Sequence, residues 1–106
     1  MIVIKRDGRR QAFDASKVRT GVEITMADRP IPRDAIDDLV ATVERAAYIS
    51  QGSIDAEEIG RIVLDGLRDI DEVGYLRFAS VYKDFQKASD FEKEAAALDS
   101  DSSTTG

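Results

Sequence analysis

Of its 106 residues none is cysteine, histidine or tryptophan, and only two are proline. Without cysteine there is no disulfide and no thiolate nucleophile. Without histidine there is no imidazole base, and the usual Cys/His zinc sites are excluded. Nor is there an EF-hand loop to hold a hard cation, so neither a catalytic residue nor a metal ligand is expected. No apolar run approaches the roughly 20 residues that span a bilayer. The first cations come at Lys5 and Arg6, which is not the order of a secretory signal, so a cytoplasmic location without membrane attachment is the expectation.

What is present suits a single soluble domain: 42% hydrophobic and 34% charged residues, with a net charge of −6. The charge is unevenly spread. Lys5, Arg6, Arg9, Arg10, Lys17 and Arg19 meet only Asp7 and Asp14 in the first twenty residues, which leaves the remainder more acidic than the total. An acidic body repels a nucleic-acid backbone, whereas a small cationic patch suits a compact anion. Cations that serve only solubility would give the same pattern.

Residues 2–13 read as a β-hairpin, with Ile2-Val3-Ile4 β-rich and Asp7-Gly8 as a two-residue turn. That turn pairs Lys5 with Arg10, Ile4 with Gln11, Val3 with Ala12 and Ile2 with Phe13. Ile2, Ile4 and Phe13 then form a core face. Val3, Ala12, Lys5 and Arg10 form an apolar floor with cations at one end, a seat for a base and its phosphates. Asp14 caps a first helix running to about Ala27, with Lys17 in its first turn. Pro32 opens a second helix whose stripe is Ile36, Leu39, Val40, Val43 and Ala47. After a loop at 50–53, Asp55 and Glu58 form a capping box for a third helix, with Ile59, Ile62, Val63 and Leu67 inward. A fourth helix over about 72–86 is apolar on nearly every side: it is central to the core or offers a second face to a partner. A short fifth helix uses Phe91, Ala95 and Leu98. The fold class is α+β, an N-terminal β-hairpin packed on a small bundle of four to five helices. The domain is expected over residues 2–98, with 99–106 a disordered polar tail.

Two stretches carry a family resemblance. Val3–Val18 (VIKRDGRRQAFDASKV) resembles the opening of ATP-cone domains. Leu67–Phe85 (LRDIDEVGYLRFASVYKDF) resembles the last large helix of NrdR, the bacterial repressors of ribonucleotide reductase genes. The resemblance covers about residues 2–92, and Arg29-Pro30 and Ile59-Gly60 fall where that family places them. It implies a sensor of ATP or dATP, taken up with magnesium, that controls oligomerisation of a repressor; it implies no enzyme. Carried over by motif, Val3 touches the base or sugar, Lys5 and Arg6 engage phosphates, and Lys17 joins them. Arg9 and Arg10 are further phosphate candidates, and Tyr82 a nucleotide or subunit contact. Several convergent cations and a helix N-terminus are what phosphates require, although there is no Walker loop. Self-association is expected. DNA binding belongs to a four-cysteine zinc ribbon that this chain does not contain: an excised domain and a naturally ribbonless protein both remain open. Gln11 and Gly74 depart from the family's usual acidic residue and alanine. Two alternatives stay open: an allosteric cone from a ribonucleotide reductase, and a helical protein-interaction module that binds no nucleotide.

Overall fold

A computed structural model describes residues 1–104 of the backbone, with side chains through Asp99. The chain runs β1 (Ile2–Ile4), β2 (Arg10–Ala12), α1 (Ala15–Thr25), α2 (Arg33–Ile49), β3 (Ser53–Asp55), α3 (Ala56–Ile70), α4 (Glu72–Tyr82) and α5 (Ala88–Thr104). The α+β class holds, but the sheet has three strands in the order β2-β1-β3. β1 pairs antiparallel with β2 and parallel with β3, where Val3 faces Ile54. The segment read as a loop therefore leads into a strand. Gln51 and Gly52 both take positive φ (56° and 112°), which turns the chain sharply out of α2. The Ile2 amide then donates to the Gly52 carbonyl at 2.8 Å. Three residues with a single apolar side chain carry no alternation to recognise; their partner lies far away in sequence.

The hairpin register is also corrected. The observed pairs are Ile2–Ala12, Val3–Gln11 and Ile4–Arg10. Lys5 donates its amide to the Arg9 carbonyl (2.7 Å) and accepts from the Gly8 amide (2.9 Å), so Arg6-Asp7-Gly8 is a three-residue loop closed by a left-handed glycine, φ 87°. Asp7 fastens it by accepting from the Arg9 amide (3.0 Å) and guanidinium (2.7 Å). Because side chains alternate with period two, the one-residue slip exchanges the faces of β2. Gln11 and Phe13 now share the face of Val3 and Lys5, while Ala12 and Arg10 join Ile2 and Ile4. The expected core face is inverted accordingly: Val3 is buried and packs with Ala47 and Ile54, whereas Ile2 and Ile4 are half-buried.

The helices follow the sequence pattern more closely. Asp14 caps α1 by accepting from the Ser16 amide, and all five residues of the α2 stripe are buried. The α3 capping box does not form. Asp55 makes no side-chain cap bond, and Glu58 instead accepts from Arg61 at 2.6 and 3.1 Å. Asp71 caps α4 through the Gly74 amide at 2.8 Å. α4 is central, with Tyr75 and Ala79 fully buried and Leu76, Phe78 and Tyr82 packed at the core's edge. It stops at Tyr82, short of residue 86, and Asp84 takes φ 55° in the turn that follows. A Cβ at Gly74 would strike the Met26 thioether, so the glycine trades helix propensity for close approach of α1 and α4 rather than merely loosening the helix. α5 is longer than expected and continues through Thr104, into the segment read as a disordered tail. Leu98 anchors its inner face, and extending a formed helix is far easier than starting one. The remainder of that tail, 105–106, lies outside the described residues.

Candidate functional site

The sheet's inner face, the first turn of α1, the start of α3 and the second half of α4 enclose a cleft of about 360 Å³. Val3 and Phe13 come from the sheet, Val18 from α1, Ile59 from α3, and Phe78 and Val81 from α4. These make apolar walls. Lys5 from the end of β1 and Lys17 from α1 supply cations, and Gln11 and Asp14 complete the polar side. Hydrogen bonds from the Ser16 hydroxyl and amide hold the Asp14 carboxyl below its usual pKa, fixing it as a charged cap.

A larger cavity of about 570 Å³ lies between α2 and α3, lined by Leu39, Ile62, Gly66 and others. Its charged lining residues are Asp38 and Asp65, which would repel an anion. The smaller cleft is therefore the candidate for an anionic ligand with an aromatic part.

Tyr82 closes one wall of the cleft. Its hydroxyl donates to the Glu57 carbonyl at 2.8 Å, and its ring stacks at 6.1 Å from Phe78. It lies directly over Gly60, where any Cβ would collide with the ring. The glycine of the Ile59-Gly60 pair thus has a physical reason: α4 approaches α3 where no side chain intervenes. The ring packs against the edge of the core, and on α4 the exposed apolar residues are Val73 and Val81.

The remaining basic candidates separate. Val3, Lys5, Lys17 and Tyr82 are brought together in the cleft, but Arg6, Arg9 and Arg10 are not among its lining. Arg6 points from the hairpin loop to the end of α4. It donates to the Tyr82 carbonyl at 2.8 Å, stands 3.6 Å from Glu57 and places its guanidinium 5.3 Å from the Tyr82 ring centre. Arg9 is engaged by Asp7 at 2.7 Å. Arg10 is carried by the register shift to the sheet's outer face, beside Ile2 and Ile4.

Phe13, Val18, Phe78 and Val81 were not singled out as site residues. The usable signal was the excess apolar surface of α4, which marks a second face without saying what it faces. Among the described residues, no group of three or more Asp or Glu is placed to hold a metal ion, and no helix is long and apolar enough to cross a membrane.

Comparison with known proteins agrees with this geometry. Residues 1–88 match the ATP cone domain. The chain is 43% identical over 99 residues to the transcriptional repressor NrdR of Thermomicrobium roseum, covering 92% of this chain and 62% of that protein. It is 43% identical over 97 residues to the namesake from Erythrobacter litoralis, covering 91% and 63%. Against that of Rhizorhabdus wittichii it is 43% identical over 99 residues, covering 92% and 64%. The chain thus spans a little under two thirds of the length of these relatives, and they are named as regulators, not enzymes. With its hairpin, helical bundle and cationic, apolar-walled cleft, the chain belongs to the ATP-cone family.

Proposed function

We propose that this chain is an adenine-nucleotide sensor, binding ATP or dATP in the cleft beneath the sheet, and that it serves as the regulatory domain of a transcriptional repressor of ribonucleotide reductase genes. One observation carries the reading: Lys5 and Lys17 converge on a single cleft whose other walls are Val3, Val18, Phe78 and Val81. A purine ring gains from apolar and aromatic walls, and phosphates gain from converging cations near a helix N-terminus. The ATP cone match and the NrdR relatives support both the ligand and the regulatory role.

In this reading Val3 and Tyr82 border the base or sugar, while Lys5 and Lys17 hold phosphates. Arg6 reaches phosphate only after leaving α4, and Arg9 and Arg10 are peripheral. Magnesium enters bound to the nucleotide's own phosphates. Nucleotide state is read out as self-association through the exposed end of α4. Val81 lines the cleft and is 79% exposed, so it can touch both ligand and a second subunit. Coupling requires that ATP and dATP bind the assembled and free states with different affinities. Contact with DNA is left to a separate zinc ribbon in the full repressor.

Calorimetric titration with ATP, dATP and GTP, with light scattering on the same samples, tests the proposal. ATP and dATP should bind, GTP more weakly, and particle mass should differ between the ATP and dATP states. No heat with millimolar ATP and an unchanged melting temperature would reject it.

A further inference from the structure

Arg6, Glu57 and Tyr82 tie together the three elements that border the cleft: the hairpin loop, the first turn of α3 and the last turn of α4. The Tyr82 hydroxyl holds the Glu57 carbonyl at 2.8 Å, and Arg6 holds the Tyr82 carbonyl at 2.8 Å with the Glu57 carboxylate at 3.6 Å. We propose that Arg6 is a two-position tether: in the free chain it clasps the end of α4, and a phosphate seated on Lys5 draws it away, releasing the α4–α5 corner. This rests on the nucleotide reading of the cleft.

The two positions exclude each other because a single guanidinium must serve both. Lys5 lines the cleft while Arg6, the next residue along the loop, faces the neighbouring surface. The clasp is weak by construction. Its carboxylate partner is distant at 3.6 Å, both side chains are more than half exposed (57% and 67%), and its short bond is to a neutral carbonyl. A phosphate offers closely spaced anionic oxygens that match the guanidinium fork.

Departure of Arg6 has a defined consequence. The Tyr82 carbonyl is one of the last in α4, where carbonyls have no partner further along the helix. The corner beyond it is held by the Lys83 amide on Ala79, the Asp84 amide on Val81 and the Phe85 amide on Ser80. Without the clasp these bonds open more often, and Val81 lies at the same end. Glu57 therefore acts against ligand binding, because it favours the clasped state and lowers the fraction ready to bind.

The test is ATP titration of the wild-type chain, Glu57→Gln, Arg6→Gln and the double variant, with Glu58→Gln as the control for loss of a nearby charge. Glu58 is occupied by Arg61. Glu57→Gln should bind ATP roughly two- to fivefold tighter, the range an exposed ion pair commands. Glu58→Gln should show no such gain, and the gain should vanish in the Arg6→Gln background. Hydrogen exchange at the Lys83–Phe85 amides should quicken in free Arg6→Gln and in ATP-saturated wild type. Glu57→Gln binding that is unchanged or weaker, a gain that survives without Arg6, or unaltered exchange in free Arg6→Gln would overturn the tether while leaving nucleotide binding in place. Absence of ATP binding by the wild-type chain rejects the nucleotide reading itself, and the tether with it.

Discussion

The two ends of α4 are fastened in opposite ways. At its start, Asp71 caps the helix through Gly74 and accepts a bidentate pair of bonds from Arg29, both 2.8 Å, with the carboxylate only 13% exposed. Arg77 reaches back to the Ala27 carbonyl at 2.7 Å, and Tyr75 is fully buried with its hydroxyl on Glu94. Asp71, Arg29 and Arg77 there all have close partners. At the other end the fastenings are Arg6 on the Tyr82 carbonyl, the Tyr82 hydroxyl on the Glu57 carbonyl and Lys83 on Glu94 at 2.9 Å, and Val81 stands in solvent. One end is held by structure alone; the other is held partly by a cation adjacent to the ligand cleft. A helix anchored at one end and lightly tethered at the other suits a sensor, since binding energy of ordinary size can shift a light tether but not a part-buried bidentate cap.

This contrast should break most visibly at Tyr75. Tyr75→Ala empties a fully buried site and should lower unfolding free energy by about 3 kcal/mol or more, measured by urea denaturation. A loss below about 1 kcal/mol would mean that the start of α4 is not the anchor. Next comes Lys17→Ala at the cleft. ATP affinity should fall by about 1–3 kcal/mol, roughly five- to 150-fold, in calorimetry. The melting temperature of the free chain should stay nearly the same, because Lys17 is exposed and away from the core. If stability falls instead and affinity holds, the cleft is structural.

Asp71→Ala should cost about 1–2 kcal/mol through loss of the cap. It also sharpens the comparison through pH. The Arg29 guanidinium, with help from the Gly74 amide, holds the Asp71 carboxyl below its ordinary pKa. A carboxylate depressed in the folded state stabilises fully above its unfolded pKa, near pH 4, and that contribution fades as pH falls through the lower folded value. The wild-type chain should therefore lose stability below about pH 4 more steeply than Asp71→Ala in parallel thermal melts. Identical acid limbs would remove Asp71 from the account. The smallest effect is expected at the light end. Tyr82→Phe removes the bond to the Glu57 carbonyl and should cost about 0.5–1.5 kcal/mol in the same denaturation assay. A larger loss than at Asp71 would reverse the ranking of the two ends.

Much of this was legible in the residues. The α2 stripe, the Asp14 cap, the inward residues of α3 and the presence of a hairpin with cations at its tip all follow from nearest-neighbour chemistry: side-chain periodicity, capping and turn preference act over a few residues and leave a pattern in the order of the chain. Val3, Lys5 and Lys17 were placed together on that basis and on the family motif. Gly8 marked a turn, but whether the loop held two residues or three depended on which backbone bonds closed, and that choice moved Arg10 and Gln11 to opposite faces. The third strand, the seat of Tyr82 over Gly60, the Arg29–Asp71 clamp and the swing of Arg6 onto α4 join residues remote in sequence. Such contacts depend on how finished elements pack, since a hydrogen bond or a missing Cβ has meaning only once its partner has arrived. The sequence by itself determined the hairpin, the helical bundle and the clustering of cations near the N-terminus; tertiary packing alone decided which cations face the cleft and which restrain the helix beside it.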